Sequence, residues 1–232
     1  MATIAFTTAF AVPAAVTGLV IVDDPDTSIV RLSWDSSPIA VSLFDRYEVE
    51  YQSGDSVWAR ADAGDLTVQA NPSFEHLAAP TGVLVRYRVR VGIGAAGFES
   101  LPLEGEVTQP SAWAFVDEEE SSLSEGGLYI QPGASQSEGW PIAFFQPLGR
   151  SFPVAAEEPR PSDRLGRVLS LSIFIPRSRL DIAEKLFIWQ RRSSVLVKDP
   201  DGWVGRCKLS DWSKSYQQAG HRSGSLTATQ VG

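Results

Sequence analysis

The sequence predicts a mainly β protein: a first domain of short strands at sandwich-like spacing, then a second of strands carrying one α-helix. Three observations point there. Apolar residues alternate with polar ones in separate short runs: Tyr47, Val49, Tyr51; then Val85, Tyr87, Val89, Val91; then Leu169, Leu171, Ile173, Ile175. That is the period of a strand with one buried face. Clusters of Gly, Pro, Asp and Asn separate the runs at sandwich-like intervals, and only one stretch, near 179–191, keeps helical spacing.

Taken in order, residues 1–12 form an uncharged N-terminal arm and residues 13–108 a first domain. Its strands are expected at 16–22, 29–34, 46–52, 56–60 and 83–92, with the turn-rich DDPDTS after the first. Residues 109–232 form the second domain. It opens with a short strand at 112–116 and an acidic, serine-rich loop, DEEESSLSEGG, whose composition cannot build a core and which is therefore solvated or awaits a partner. Strand-like pieces follow at 128–131 and 141–145. The stretch FQPLGRSFPV then interrupts an apolar run with Pro147, Gly149 and Pro153. Those residues suit an edge or corner and project Arg150 towards a carboxylate across a domain or subunit contact.

Beyond it, residues 167–176 alternate as a strand. Ser178 and Asp181 sit at capping-box spacing ahead of Ile182, Ala183, Leu186, Phe187 and Trp189. VLVKDPDGWVGR reads as a hairpin turning at 199–202, and SLTATQV closes the chain as a strand.

The chain has 232 residues, enough for a real core, and 21% charged residues, ordinary for a soluble globular protein. Its N-terminus lacks the basic region of a signal peptide, and no stretch approaches the roughly 20 apolar residues of a membrane span. Cys207 is the single cysteine, so no intrachain disulfide forms. With only His76 and His221 beside it, a Cys/His metal site of normal ligand number is excluded. Residues 1–110 hold 6 basic and 14 acidic side chains, a net of −8, whereas 159–232 hold 13 basic and 6 acidic, a net of +7. This polarity permits head-to-tail association or nucleic-acid contact; the total of −8 argues against general nucleic-acid binding.

Trp34 at the end of the second run, Tyr47, and Tyr87 within APTGVLVRYRVRV resemble a fibronectin type III domain over residues 13–108. The resemblance implies that Trp34 plugs the core and that Tyr87 forms a tyrosine corner, its hydroxyl bonded to backbone. The order AWAFVD, GLYIQ, FFQPLGRSFPV, LGRVLSLSIFIP, the helix with LDIAEKL, VLVKDPDG and a last strand resembles the C-terminal half of minor tail proteins of long-tailed bacteriophages, above all those of actinobacteria. It implies a tail-tube or distal-tail-like β-sandwich with one helix and a structural part in the tail tip of a virion assembled in the host cytoplasm. It also implies self-association in a ring of three or six copies, contacts with other tail proteins and at most transient contact with the genome. No cofactor, metal or catalytic residue is implied.

The expected core residues are Trp34, Tyr47, Tyr87, Ile182, Leu186 and Phe187. The candidate interface residues are Arg150, Phe152, Trp189, Arg191, Arg192 and Trp203, with Arg150 and Arg191/Arg192 as intersubunit ion-pair formers. Other chemistries have candidate residues too. Trp58, Trp203 and Trp212 offer a sugar platform, the basis of an alternative role in recognising a host-surface carbohydrate polymer. Asp23, Asp24 and Asp26, like Asp117–Glu120, lack the ordered spacing of a calcium loop. Asp211, His221 and Ser223 include no nucleophile elbow, and no carboxylate pair stands out for glycoside hydrolysis, so the chain reads as a non-enzyme.

Overall fold

The computed structural model describes residues 13–61, 66–93, 98–131, 135–139, 142–145, 154–157, 166–216 and 220–231. By its contacts the chain divides into two units. The first runs up to Asp24 and from Ile29 to Gln109; the second comprises Pro25–Ser28 and Pro110–Gly232.

In the first unit β1 (Val20–Asp24), β2 (Ile29–Ser33) and β5 (Ser73–His76) form one antiparallel sheet. β3 (Phe44–Ser53), β4 (Ala59–Arg60), β6 (Leu84–Ile93) and β7 (Phe98–Glu99) form the other, and β8 (Leu103–Thr108) pairs with the far side of β6. Val30, Leu32 and Trp34 from the first sheet share a core with Tyr47, Val49, Val85, Tyr87, Val89 and Val91 from the second. Inward positions recur every second residue, so burying one face of each sheet fixes the register across the sandwich. The first strand begins at Val20, not at residue 16, because Gly18 turns the chain at φ +68, where a Cβ would meet the Asp35 carboxylate. The strand expected over 56–60 shrinks to Ala59–Arg60.

The second unit is built on β9 (Trp113–Val116), β10 (Glu125–Ile130), β11 (Ser135–Gly139), β14 (Gly166–Ile175), β15 (Val195–Lys198), β16 (Val204–Tyr216) and β17 (Arg222–Gln230). They run in the order β10-β9-β15-β16-β17-β14-β11, and β10 also pairs with β14 through Tyr129↔Phe174 and Ile130↔Ile173. Six strands therefore close into a ring, which removes the sheet edges those strands would otherwise present. β12 (Ile142–Phe145) and β13 (Val154–Glu157) form a separate two-stranded ribbon. Leu169, Leu171, Ile173 and Ile175 all enter the core from one face of β14.

The helix α1 (Asp181–Arg191) lies between β14 and β15. Ile182, Ala183, Leu186 and Trp189 are its buried residues, and they join the same core as the strands. Trp189 meets Phe115 edge-on at 5.5 Å between centroids, a favoured aromatic arrangement. The capping box does not form. Ser178 lies in a 3-10 turn (Arg177–Arg179), and Leu180 stands at the cap position without a side-chain bond. Asp181 and Glu184 in the first turn and Arg191 in the last complement the helix dipole instead. Phe187, expected in the core, is 44% exposed, because on the helical wheel it lies past Ala183, outside the stripe that Ile182, Ala183, Leu186 and Trp189 bury.

Within the second unit the segment Pro25–Ser28 is held by backbone and side chain. Gly126 N–H donates to the Asp26 carbonyl at 2.7 Å, and Lys198, fully buried, donates to the Ser28 carbonyl.

Candidate interaction surfaces

Two aromatic hydroxyls organise the first unit. Tyr47 is fully buried; its hydroxyl accepts the Ser37 N–H at 2.7 Å and donates to the Gln69 carbonyl at 3.0 Å. Trp34 packs edge-on against it at 5.4 Å. The hydroxyl of Tyr87 lies 2.8 Å from His76 Nδ1, and burial pushes its pKa far up. Tyr87 was expected to bond backbone; its partner is a side chain, and the backbone-bonded tyrosine is Tyr47. Trp34 is 5% exposed, and Ile182 and Leu186 of the second unit are likewise buried.

The outer face of the five-stranded sheet is a lattice of alternating charge. Reading across the strands, Glu104 of β8, Arg88 of β6, Glu50 of β3 and Arg60 of β4 stand in register. Arg88 clasps both oxygens of Glu50, at 2.5 and 3.0 Å, and thereby holds that carboxyl below its usual range. Arg90 reaches Glu99 at 2.7 Å, and Arg46 bridges Asp45 and Glu48. In the other sheet Arg31 joins Asp24 and Glu75. Arg31, Arg46, Arg86, Arg88 and Arg90 are thus all in ion pairs. The residues between the apolar positions of RYRVRV, which periodicity marked only as polar, are one half of this lattice.

The acidic loop of the second unit has its partners within that unit. Asp117, 1% exposed, accepts the Glu119 and Glu120 N–H groups through one oxygen and Arg192 Nε through the other, at 2.9 Å. Arg192 also reaches Glu119, and Arg206 clasps Glu118 through two nitrogens. Glu125, also 1% exposed, takes Lys185 at 2.9 Å and Arg179. Lys208 donates to the carbonyls of Gln190 and Arg192 at the end of the helix. Basic groups of the helix and β16 therefore neutralise the loop.

This corrects the expectation for two of the candidate interface residues. Arg192 pairs inside its own unit, and Trp189 is fully buried in the core. Trp203 is half-buried, its ring lying over Gly205 with the Arg167 guanidinium 4.9 Å from its centroid. Arg191 is exposed. Arg150 and Phe152, with the rest of FQPLGRSFPV beyond Phe145, lie outside the described residues.

Trp58 lies beneath the Arg88 guanidinium at 4.3 Å, and Trp212 packs on the core of the second unit. Asp23 accepts from Gln109 Nε2 at 2.9 Å and Asp24 from Arg31. Among the described residues no group of three or more His, Cys, Asp or Glu is placed to hold a metal ion. His221 Nδ1 accepts the Arg177 N–H at 3.2 Å, and the Asp211 carboxylate accepts the Ser210 hydroxyl. Cys207 is buried, its thiol pushed up to about 12 by desolvation. No helix among the described residues is long and apolar enough to cross a membrane.

What sequence reading missed is the loop end of the first unit. Val41 (81% exposed), Leu43 (60%) and Val68 (71%) stand out to solvent there. The segment carrying Val68 is tied to the one carrying Val41, since Gln69 Nε2 donates to the Ser37 and Ile39 carbonyls at 2.8 and 2.6 Å. A shallow groove of about 260 Å³ runs along Leu66, Val68, Ala70, Asn71, Pro72 and Ser73. The signal was available, in PIAVSLF between two strands, a loop with too many apolar residues.

No family model matches the chain, and no curated protein matches it. Among solved structures, the twitchin kinase region from C. elegans (Fn31-NL-kin-CRD-Ig26) matches at 12% identity and a TM-score of 0.34, over 92% of this chain. The chain spans 39% of that structure's length, and a likeness at this level carries no argument about function. What fold and surfaces define is a class: a mainly β chain of two units, with one α-helix among the described residues, whose described polar side chains build ion-pair lattices and turns.

Proposed function

We propose that this chain is a structural minor tail protein of a long-tailed bacteriophage, residing in the virion at or near the tail tip. The observation that carries this reading is the layout of the second unit. Strand β14, helix α1, the β15–β16 hairpin and the closing strand β17 follow in the order that the tail-protein resemblance implies. The first unit is read as a fibronectin type III-like module, supported by a three-stranded sheet packed on a larger one over Trp34, Tyr47 and Tyr87.

On this reading the work is mechanical and non-catalytic. Copies associate in a ring of three or six around a passage, together with other tail proteins, through surfaces of the second unit. The ring contact falls to groups other than Trp189 and Arg192, whose side chains are committed internally; Arg191 and the exposed part of Trp203 remain available.

The experiment is protein identification in purified particles of the phage whose genome encodes the chain, with tails separated from capsids. Peptides of this chain should appear in the tail fraction at a few copies per particle. Their absence from intact particles would sink the proposal.

A further inference from the structure

We propose that the outer face of β10, β14 and β17 in the second unit is a binding site for an uncharged carbohydrate chain. Tyr129 of β10 and Phe174 of β14 are register partners. Leu128 on β10, and Ile173 and Ile175 on β14, enter the core, so Tyr129 and Phe174 stand on the opposite face. Tyr129 is 64% exposed and Phe174 is half-buried. On the other side of Phe174, at the start of β17, the His221 ring lies stacked on it, 5.3 Å between centroids and 29° between planes. His221 is held in place there, because its Nδ1 accepts the Arg177 N–H at 3.2 Å. Three rings therefore stand side by side over three neighbouring strands, joined by strand register on one side and by a ring contact on the other.

The groups beside the rings select the ligand. Further along the same face of β14 come Ser172 and Ser170, whose register partners on β17 are Ser225 and Thr227. Ser225 meets Ser213 of β16, hydroxyl to hydroxyl, at 2.7 Å, and Ser170, Ser213 and Ser225 are exposed. These rows extend the platform by roughly 13 Å from Phe174 and carry no charged residue. An aromatic face is electron-rich and accepts the polarised C–H groups of a sugar ring. A serine or threonine hydroxyl both donates and accepts, as a sugar hydroxyl does. A nucleic acid would also stack on the rings, but its phosphates call for cations, and the hydroxyl rows supply none. A protein partner would call for an apolar centre to the contact, whereas hydroxyls make up most of this face. Rings for the faces of sugar units, followed by hydroxyls for their rims, match an uncharged glycan laid along β14. The site stands on this geometry and is independent of the tail reading.

The test is co-sedimentation of the full chain with cellulose and chitin, together with affinity electrophoresis through gels carrying dextran, mannan or xylan. The chain should be retained by at least one of these, and Tyr129→Ala and His221→Ala should each weaken retention about tenfold. Tyr129→Ala, at an exposed position, should do so with its melting temperature unchanged. Phe187→Ala, which removes an exposed ring from α1, should be retained like the parent. Retention by none of the five polysaccharides would overturn the proposal, as would retention that Tyr129→Ala and His221→Ala leave intact. Sedimentation velocity tests the other occupant: self-association that Tyr129→Ala abolishes would assign the face to a second copy and overturn the proposal as well.

Discussion

Arg192, one residue past the helix, donates its Nε–H to Asp117 at 2.9 Å, and the carboxylate it reaches is 1% exposed. Lys185 does the same for Glu125 at 2.9 Å near the middle of the helix. Two buried carboxylates, one from each end of the acidic stretch, thus clip α1 to the strands it packs on. A buried carboxylate that loses its cation is left uncompensated, and that loss costs more than the pair gains by forming.

Replacing Arg192 with Ala should therefore lower the melting temperature clearly, whereas Arg191→Ala, one residue earlier and exposed, should leave it nearly unchanged. Thermal unfolding of both variants checks this. Equal effects would mean that Arg192 does not serve Asp117.

The helix orientation makes a second contrast. Trp189→Ala removes a fully buried ring from the core and should cost about 3–5 kcal/mol. Phe187→Ala, at a position 44% exposed, should cost less than about 1 kcal/mol. Urea denaturation measures both, and a reversed order would put the other face of α1 against the core.

In the first unit, Tyr47→Phe keeps the ring and deletes the hydroxyl that bonds Ser37 N–H and the Gln69 carbonyl. Leaving buried backbone groups without that partner should cost about 1–3 kcal/mol. Trp34→Ala should cost about 3–5 kcal/mol, enough to unfold a domain of this size. A Tyr47→Phe variant as stable as the parent would show that the hydroxyl does not hold the loops.

Cys207 supplies a pH dependence. Its folded pKa, pushed up to about 12, lies above the ordinary thiol value of about 8.5. Between those values the native state holds the proton and the unfolded state releases it, so the unfolded state binds fewer protons and stability falls as pH rises. The contribution is fully present below about pH 8.5 and declines by at most about 1.4 kcal/mol per pH unit above it. Tyr87, raised for the same reason, adds to the decline once pH passes about 10. Alkylation at pH 8 should label Cys207 only after unfolding, and Cys207→Ala should flatten the fall in stability at pH 9 and above. Rapid labelling of the folded protein would contradict the burial.

The strands with strict alternation and the one helix were legible because their periods are local. The helix face was not: Ile182, Ala183, Leu186, Phe187, Ile188 and Trp189 make an apolar arc wide enough for either Phe187 or Trp189 to lead inward. β8 went unseen because its inward position Gly105 carries no side chain; a Cβ there would strike Ile21 and Leu19, so glycine is what lets that strand approach. The acidic loop looked unpartnered because its cations lie 75 and 88 residues away in sequence. Ring closure through β10 and β14 rests on two residue pairs, too few to leave a pattern.

A cryo-electron microscopy reconstruction of the phage tail decides whether this chain has the structural place proposed for it. The reconstruction should show the closed six-stranded ring with α1 packed on it, repeated three or six times around the tail axis and contacting its copies through the second unit. A tail lacking this chain would contradict that proposal, as would single unconnected copies or contacts made only through residues 13–108.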